Sequence, residues 1–225
     1  AGQPRVGGGH VPAAEVRDLL AQARYLAGRG GPENRQKAVG NYERAVALDP
    51  NYARAWAELA RLLSLMAFHD SEAADRLAPR IKDAAARALR LDGSLADPHF
   101  ALARLAWSHE WDWNTAERGW KKTLEINPNY AGAHQAYALG LITRRRFREA
   151  LAHCRRAVEL DPMTFAASND LGVALYASLQ FDEASAFARA SMLLAPESPL
   201  PGFLLGIVEI AQGNYRQGTL VLERT

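Results

Sequence analysis

The sequence has few residues that favour β-structure. Among its 225 residues, Val, Ile and Thr together number 20, whereas 43 are Ala and 29 are Leu. β-Branched side chains suit a pleated sheet, while Ala and Leu lose little conformational freedom in a helix. The imbalance argues against a β-sandwich, a barrel or a parallel-sheet enzyme, and it predicts an all-α fold.

Cysteine, net charge and long hydrophobic runs are also scarce. The one cysteine, Cys154, excludes a disulfide framework and a multi-thiolate metal site. A net charge of +2 is too small to imply a nucleic-acid or membrane partner through electrostatics. A membrane-spanning helix needs about 20 apolar residues, and no apolar run in the sequence reaches that length.

The N-terminal residues lack the features of a folded element. They carry no initiator methionine and no hydrophobic signal-peptide region, and they are rich in Gly. We therefore expect residues 1–12 to be a linker or a cloning remnant.

Short helix-stop motifs recur along the chain. Each runs from Leu or Ile through Asp or Asn to Pro, with weaker copies that read Leu-Ala-Pro and Leu-Asp-Gly; they begin at Leu48, Leu91, Ile126, Leu160 and Leu194. Pro pushes the preceding residue out of the helical region, and Gly favours a C-terminal cap. The last residues of the motifs are 43, 35, 34 and 34 positions apart, which indicates a base period of 34 with two insertions.

A second pattern lies upstream of each stop. It places small residues around a central position at offsets of four and three, which puts them on one helix face. The five copies are Ala38-Tyr42-Ala45, Ile81-Ala85-Ala88, Ala116-Trp120-Thr123, Ala150-Cys154-Ala157 and Ala184-Ala188-Ser191. Small residues let a neighbouring helix approach closely, so these positions are the predicted core.

The two patterns together resemble the tetratricopeptide repeat (TPR), a helix–turn–helix unit of about 34 residues. The resemblance covers residues 13–225 and implies a right-handed α-solenoid, or superhelix, of about six repeats. The expected repeats are about 13–52, 53–95, 96–130, 131–164, 165–198 and an incomplete 199–225.

Two repeats depart from this pattern. The second has an insertion around residues 66–80, where we expect Pro79 to start or kink the second helix. The third contains Trp107, Trp111, Trp113 and Trp120. These rings either fill the space made by the insertion, which is the favoured interpretation, or form an aromatic ligand cage.

A narrower resemblance rests on particular segments. Residues 23–26 (Ala-Arg-Tyr-Leu), 111–113 (Trp-Asp-Trp) and 129–138 are similar to the TPR region of bacterial winged-helix regulators, nucleotide cyclases and Ser/Thr kinases. The resemblance implies a regulatory or partner-binding segment of a larger signalling protein.

Motifs for catalysis, nucleotide binding and metal binding are missing from the sequence. We therefore expect no catalytic residue, cofactor or metal. His134 and Cys154 fall at packing positions, and a ligand role for His109 is disfavoured. Arg144, Arg145, Arg146, Arg148, Arg155 and Arg156 form a basic stretch that is best interpreted as a solvated face. Binding of an acidic partner or RNA there is the alternative. The absence of aromatic residues alternating with the arginines argues against RNA.

Stacked TPR units present their first helices along a concave groove, in which the family holds peptides or partner segments. The positions that the resemblance assigns to the groove are Arg54, Arg61, Asp97, Phe100, Arg104, Trp107, Gln135, Leu139, Ile142, Asn169, Asp170, Val173 and Tyr176. They do not reproduce the Lys-Asn-Asn-Lys-Arg set with which chaperone cofactors of this family clamp a C-terminal carboxylate.

These observations favour a non-catalytic protein-interaction module with a protein or peptide partner. The alternatives are the substrate-presenting arm of an enzyme such as a glycosyltransferase, and a self-association scaffold. The helix around Phe203 is apolar on several sides, so we expect either that further sequence covers this end or that two copies pair through it, as a homodimer. The sequence identifies no compartment, and the cytoplasm is favoured.

Overall fold

The computed structural model describes residues 10–225, so most of the expected linker at residues 1–12 lies outside the described residues. The described part of the chain is all-α and forms twelve helices. They are α1 (Ala14–Arg29), α2 (Pro32–Leu48), α3 (Ala53–His69), α4 (Ser71–Leu91), α5 (Ala96–Ser108), α6 (Trp113–Ile126), α7 (Ala131–Thr143), α8 (Phe147–Leu160), α9 (Phe165–Ala177), α10 (Phe181–Leu194), α11 (Leu200–Ala211) and α12 (Tyr215–Glu223).

Consecutive helices pack in pairs, α1 on α2 through α11 on α12, and neighbouring pairs pack on one another within two compact units. The first unit ends at Pro128, and the second runs from Asn129 to Thr225. Each unit is a stack of helix pairs, which is the α-solenoid arrangement.

The stop motifs end the helices as predicted. The second helix of each of the first five pairs ends at the apolar residue that opens its motif: Leu48, Leu91, Ile126, Leu160 and Leu194. The effect is local. A Pro cannot continue the helix because it lacks an N–H group, and a Gly favours a C-terminal cap.

The small-residue pattern forms the core of both units. All fifteen of its residues are at most 1% exposed, including Tyr42 and Trp120. Gly119 shows how closely the backbones approach, because a Cβ atom added there would lie 2.7 Å from Ala103 Cβ.

A left-handed backbone residue recurs in the turns. Trp111, Arg145, Leu179 and Gly213 have φ values of 56°, 59°, 61° and 88°, and each stands 34 positions after the last. Each lies in the turn between the two helices of a pair, from α5–α6 to α11–α12. Three of the four turns therefore hold a non-Gly residue in a conformation that costs it roughly 1–2 kcal/mol.

The insertion lengthens both helices of the second pair. Helices α3 and α4 have 17 and 21 residues, whereas α7 and α8 have 13 and 14. Of the two expectations for Pro79, that it starts the second helix is wrong, because α4 begins at Ser71 and continues through Pro79, and that it kinks the helix stays a prediction. Asp70 caps α4 by accepting from Ala73 N at 3.0 Å, and this cap sets the earlier start.

Candidate partner-binding faces

In the first unit, side chains of the first helices join α1 to α3. The Arg24 guanidinium donates to both carboxylate oxygens of Glu58, at 2.8 and 2.6 Å, and the Tyr42 hydroxyl donates to Glu58 at 3.1 Å. Burial and the neighbouring Glu58 carboxylate raise the pKa of Tyr42, so this hydroxyl stays protonated. The network was not predicted, although the 34-residue separation of Arg24 and Glu58 is one repeat period.

Further along this face, Arg61 Nε of α3 lies 3.9 Å from Asp97 Oδ1 of α5, so these two predicted groove residues meet. Arg54 is exposed at the start of α3. Hydrogen bonds from Ser94 hold the pKa of Asp92 below its ordinary value, and the Arg54 charge adds to the effect. Arg54 is therefore close to the turn that precedes α5.

Arg104 of α5 lies near two aromatic rings, Phe100 of the same helix and Phe68 of α3. The Arg104 guanidinium carbon is 4.3 Å from the Phe100 ring centroid and 6.0 Å from that of Phe68. Phe68 in turn stacks on Trp107, with centroids 5.9 Å apart and an interplanar angle of 22°. Phe68 was missed from the sequence because it belongs to the inserted segment, which has no counterpart in the other repeats.

Phe100 itself corrects a prediction. We expected its ring to face the groove, but the residue is 2% exposed. The ring therefore supports the Arg104 guanidinium from below through a cation–π contact instead of meeting a partner directly.

The four tryptophans do not meet in one place. Trp107 and Trp113 pack edge-on against Trp120, with centroid distances of 5.9 and 6.0 Å. Trp111 is 84% exposed in its left-handed turn. Three rings therefore fill the space within the third repeat, and the four do not form a ligand cage.

In the second unit, predicted groove residues join α7 to α9. Gln135 Nε2 donates to Asp170 Oδ2 at 2.9 Å. Burial raises the pKa of Asp170 to about 6, against the lowering effects of Gln135 and of the adjacent Asn169 side chain. The same burial effect raises the pKa of the nearby Cys154 to about 12, which keeps that buried thiol protonated and unreactive.

The amide oxygen of Asn169 is buried and has no hydrogen-bond partner among the described residues. The other predicted residues of this unit are apolar and half-buried: Leu139, Ile142, Val173 and Tyr176. Tyr176 lies against Phe181, with ring centroids 5.9 Å apart. This face thus combines an unsatisfied acceptor with an apolar strip.

A histidine pair lies between α7 and α8. His134 Nδ1 and His153 Nδ1 are 2.8 Å apart, and the Tyr137 ring packs on His153 at 4.7 Å. Burial and the neighbouring His134 lower the pKa of His153 to about 4. His109 lies elsewhere, 3.2 Å from an Asp75 carboxylate oxygen. Over residues 10–225, no three His, Cys, Asp or Glu side chains cluster as metal ligands.

Several arginines of the basic stretch have local acidic or polar partners. Arg146 donates two hydrogen bonds to Glu149, at 2.8 and 2.7 Å, and Arg155 lies 3.2 Å from Glu183. Arg156 donates to Asn129 Oδ1 at 2.6 Å and to Glu159. These pairs reduce the positive potential that a nucleic acid would meet.

Within the described residues, no helix combines the length and the hydrophobicity that crossing a bilayer requires.

No protein-family model matches the chain, and no curated protein matches it. Solved structures do. A thermophilic TPR protein of Thermus thermophilus superposes with a TM-score of 0.66 at 16% identity, over 87% of this chain and 99% of that one. PilW, a type IV pilus biogenesis factor, gives 0.70 at 15% identity over 93% and 91%. Pseudomonas aeruginosa PilF gives 0.63 at 20% identity over 76% and 77%. The paired helices, the 34-residue period and these likenesses together show that the chain has the tetratricopeptide-repeat fold.

Proposed function

We propose that the chain is a non-catalytic protein-interaction module whose first helices bind extended segments of a partner protein. The fold supports this, because stacked helix pairs present repeated surfaces to a ligand. Among the similar structures is a pilus biogenesis factor, which is consistent with a role in assembly rather than catalysis.

The observation that carries the proposal is the unpartnered Asn169 oxygen. A buried acceptor without a donor costs about 1–3 kcal/mol, and the backbone N–H of an extended peptide would satisfy it. Leu139, Val173 and Tyr176 are partly exposed on the first helices of the same unit and would receive apolar side chains of the peptide.

The first unit offers different chemistry. Arg61 and Arg104 lie on α3 and α5, and Arg104 is held over the Phe100 ring at 4.3 Å. A guanidinium supported in this way suits an acidic or aromatic side chain of the partner. From the narrower resemblance, we further propose that the module is the regulatory part of a larger bacterial signalling protein that acts in the cytoplasm.

The test starts from a phage-displayed library of random peptides selected on the whole chain, followed by calorimetry with a selected peptide. Interface energy concentrates in a few anchors, and losing one worth about 2 kcal/mol weakens binding roughly thirtyfold. We expect Asn169→Ala to produce such a loss for peptides bound to the second unit, and Arg104→Ala for peptides bound to the first.

Two matched controls accompany these variants. Asn114→Ala removes an exposed asparagine of α6, and Arg148→Ala removes an exposed arginine of the basic stretch. Arg148 is a cleaner control than Arg156, which contacts Asn129. If the selected peptides bound Asn169→Ala and Arg104→Ala as tightly as the wild type but bound Arg148→Ala more weakly, the proposal would be overturned in favour of the basic stretch. Selection of no peptide, with the chain forming dimers, would favour the self-association scaffold.

A further inference from the structure

The first unit contains a cavity of about 720 Å³ between α2 and the lengthened α3–α4 pair. Helix α2 contributes Arg35 and Val39 to its lining, and α4 contributes Ala73, Arg76, Leu77 and Arg80. These α4 residues belong to the first half of that 21-residue helix, which is the part that the insertion lengthens. The cavity therefore results from the departure of the second repeat from the 34-residue pattern.

The charges around the cavity are unevenly neutralised. Arg80 pairs with Glu43, and the Glu33 carboxylate pairs with Lys37 at 2.7 Å. Asp70 is occupied as the cap of α4. Arg35 and Arg76 have no such carboxylate partner among the described residues, so the lining carries a small net positive charge.

Two further observations indicate that the cavity suits an anion. The Nε atom of Arg35 is buried and has no hydrogen-bond partner among the described residues, so its N–H lacks an acceptor. At the same edge, burial together with the positive charge of Arg35 and Arg104 lowers the pKa of His69. The imidazole is therefore neutral near pH 7 and adds no further positive charge to that of the arginines.

Part of the remaining lining is apolar. Val39, Leu63 and Leu77 are at most 3% exposed and belong to the core beneath the cavity, whereas Pro32 and Met66 of the lining are more accessible. Pockets of roughly 300–1,000 Å³ with apolar walls and a few placed polar groups are typical of small-molecule sites. Guanidinium groups form paired hydrogen bonds with planar carboxylates.

We propose that this cavity binds a small amphipathic carboxylate, with the carboxylate on Arg35 and Arg76 and the apolar body against Pro32 and Met66. The net charge of the lining matches a single negative charge. The cavity adjoins the first-helix face of the first unit through His69 of α3, which the charge of Arg104 reaches, so a bound carboxylate would lie near the proposed Arg104 anchor.

Calorimetric titration of the whole chain with decanoate tests the proposal. Acetate supplies the head group alone, and decyltrimethylammonium supplies the same apolar chain with the opposite charge. We expect decanoate to bind and the other two not to bind. Arg35→Gln should weaken decanoate binding about tenfold or more, because a charge-assisted hydrogen bond is lost.

Arg76→Gln should also weaken decanoate binding, and this exposed position keeps the test valid if Arg35→Gln unfolds the first unit. Arg44→Gln, on the exposed side of α2, should bind decanoate like the wild type. Asn169→Ala should also leave decanoate binding unchanged, which separates this site from the proposed peptide site. Equal binding of decanoate and decyltrimethylammonium, equal affinity of the Arg76→Gln and Arg44→Gln variants, or no binding of decanoate would each overturn the proposal.

Discussion

The two units contain the same kind of helix pair but connect their first helices through different side chains. In the first, charged side chains connect the first helices, as in Arg24–Glu58 and Arg61–Asp97. In the second, the corresponding connection is the amide–carboxyl pair Gln135–Asp170, and burial favours the uncharged form of that carboxyl. The difference shows that the repeat specifies helix packing but leaves the electrostatics of the first-helix face open.

The insertion adds a second difference. It lengthens α3 and α4 and is accompanied by a cavity, whereas the helices of the second unit keep the 34-residue spacing of their turns. An insertion in a repeat protein can therefore create a cavity without disturbing the core positions, because those positions lie on one face of the lengthened helix.

The largest expected effect concerns the core of the first unit. Trp120→Ala removes a fully buried ring that Trp107 and Trp113 contact edge-on. Truncating such an aromatic residue costs about 3–5 kcal/mol, so thermal denaturation followed by circular dichroism should show a melting temperature lower by several degrees. Trp111→Ala, at a residue that is 84% exposed, is the matched control. Equal melting of the two variants would contradict the assigned core.

The second prediction concerns how the buried Asp170 carboxyl makes the stability of the second unit depend on pH. The pKa of Asp170 is about 6, above its ordinary value of 3.8, so its stabilising contribution is complete below pH 3.8 and is lost as the pH rises through 6. Asp170→Asn should therefore gain stability relative to the wild type between pH 4 and pH 7, by on the order of 2–3 kcal/mol.

His153 of α8 should show the opposite dependence of stability on pH. Its pKa is about 4, below the ordinary 6.5, so its contribution is present above pH 6.5 and is lost as the pH falls through 4. His153→Gln should therefore gain relative stability on acidification. Urea denaturation of both variants across this pH range checks the pair, and parallel pH profiles of the two variants would contradict the assigned environments.

A smaller effect is expected at Gly119, where α5 and α6 approach each other closely. A Cβ on Gly119 would lie 3.2 Å from the His99 carbonyl oxygen and 2.7 Å from Ala103 Cβ. Gly119→Ala would overpack this contact, which should lower the free energy of unfolding by about 1–3 kcal/mol. At Gly40 in α2, no atom lies within 4 Å of the added methyl group, so Gly40→Ala should stabilise the helix by up to about 1 kcal/mol. Urea midpoints that moved in the same direction for both variants would contradict the close approach of α5 and α6.

The smallest effect concerns the repeated turn. Leu179 is 75% exposed at φ 61°, so Leu179→Gly relieves backbone strain and loses little packing. Because glycine is also more flexible in the unfolded chain, the net gain should be below about 1 kcal/mol. Leu193→Gly, at an 86% exposed position inside α10, should instead destabilise by a similar amount. Chemical denaturation checks this, because the free energy of unfolding should rise for Leu179→Gly and fall for Leu193→Gly. A change in the same direction for both would contradict the prediction.

The helix ends and the core could be predicted from the sequence because both depend on local geometry. A proline acts on the residue before it, which is how Leu48 and Leu160 became helix ends. Offsets of three and four residues lie on one helix face, which placed Trp120 and Cys154 in the core. Eight of the thirteen predicted groove residues enter identified side-chain contacts, among them Arg61 with Asp97 and Gln135 with Asp170.

The sequence by itself thus determined the repeat period, the helix ends and the buried face of each second helix. Tertiary structure alone decided that Phe100 lies beneath Arg104, that Asp170 has a raised pKa and that Leu179 adopts a left-handed turn. It also decided that α4 runs through Pro79 and borders a cavity. The reason is physical: burial, charge neighbours and turn strain depend on which residues of other helices come close, and a repeat pattern read along one chain specifies only the residues within each helix.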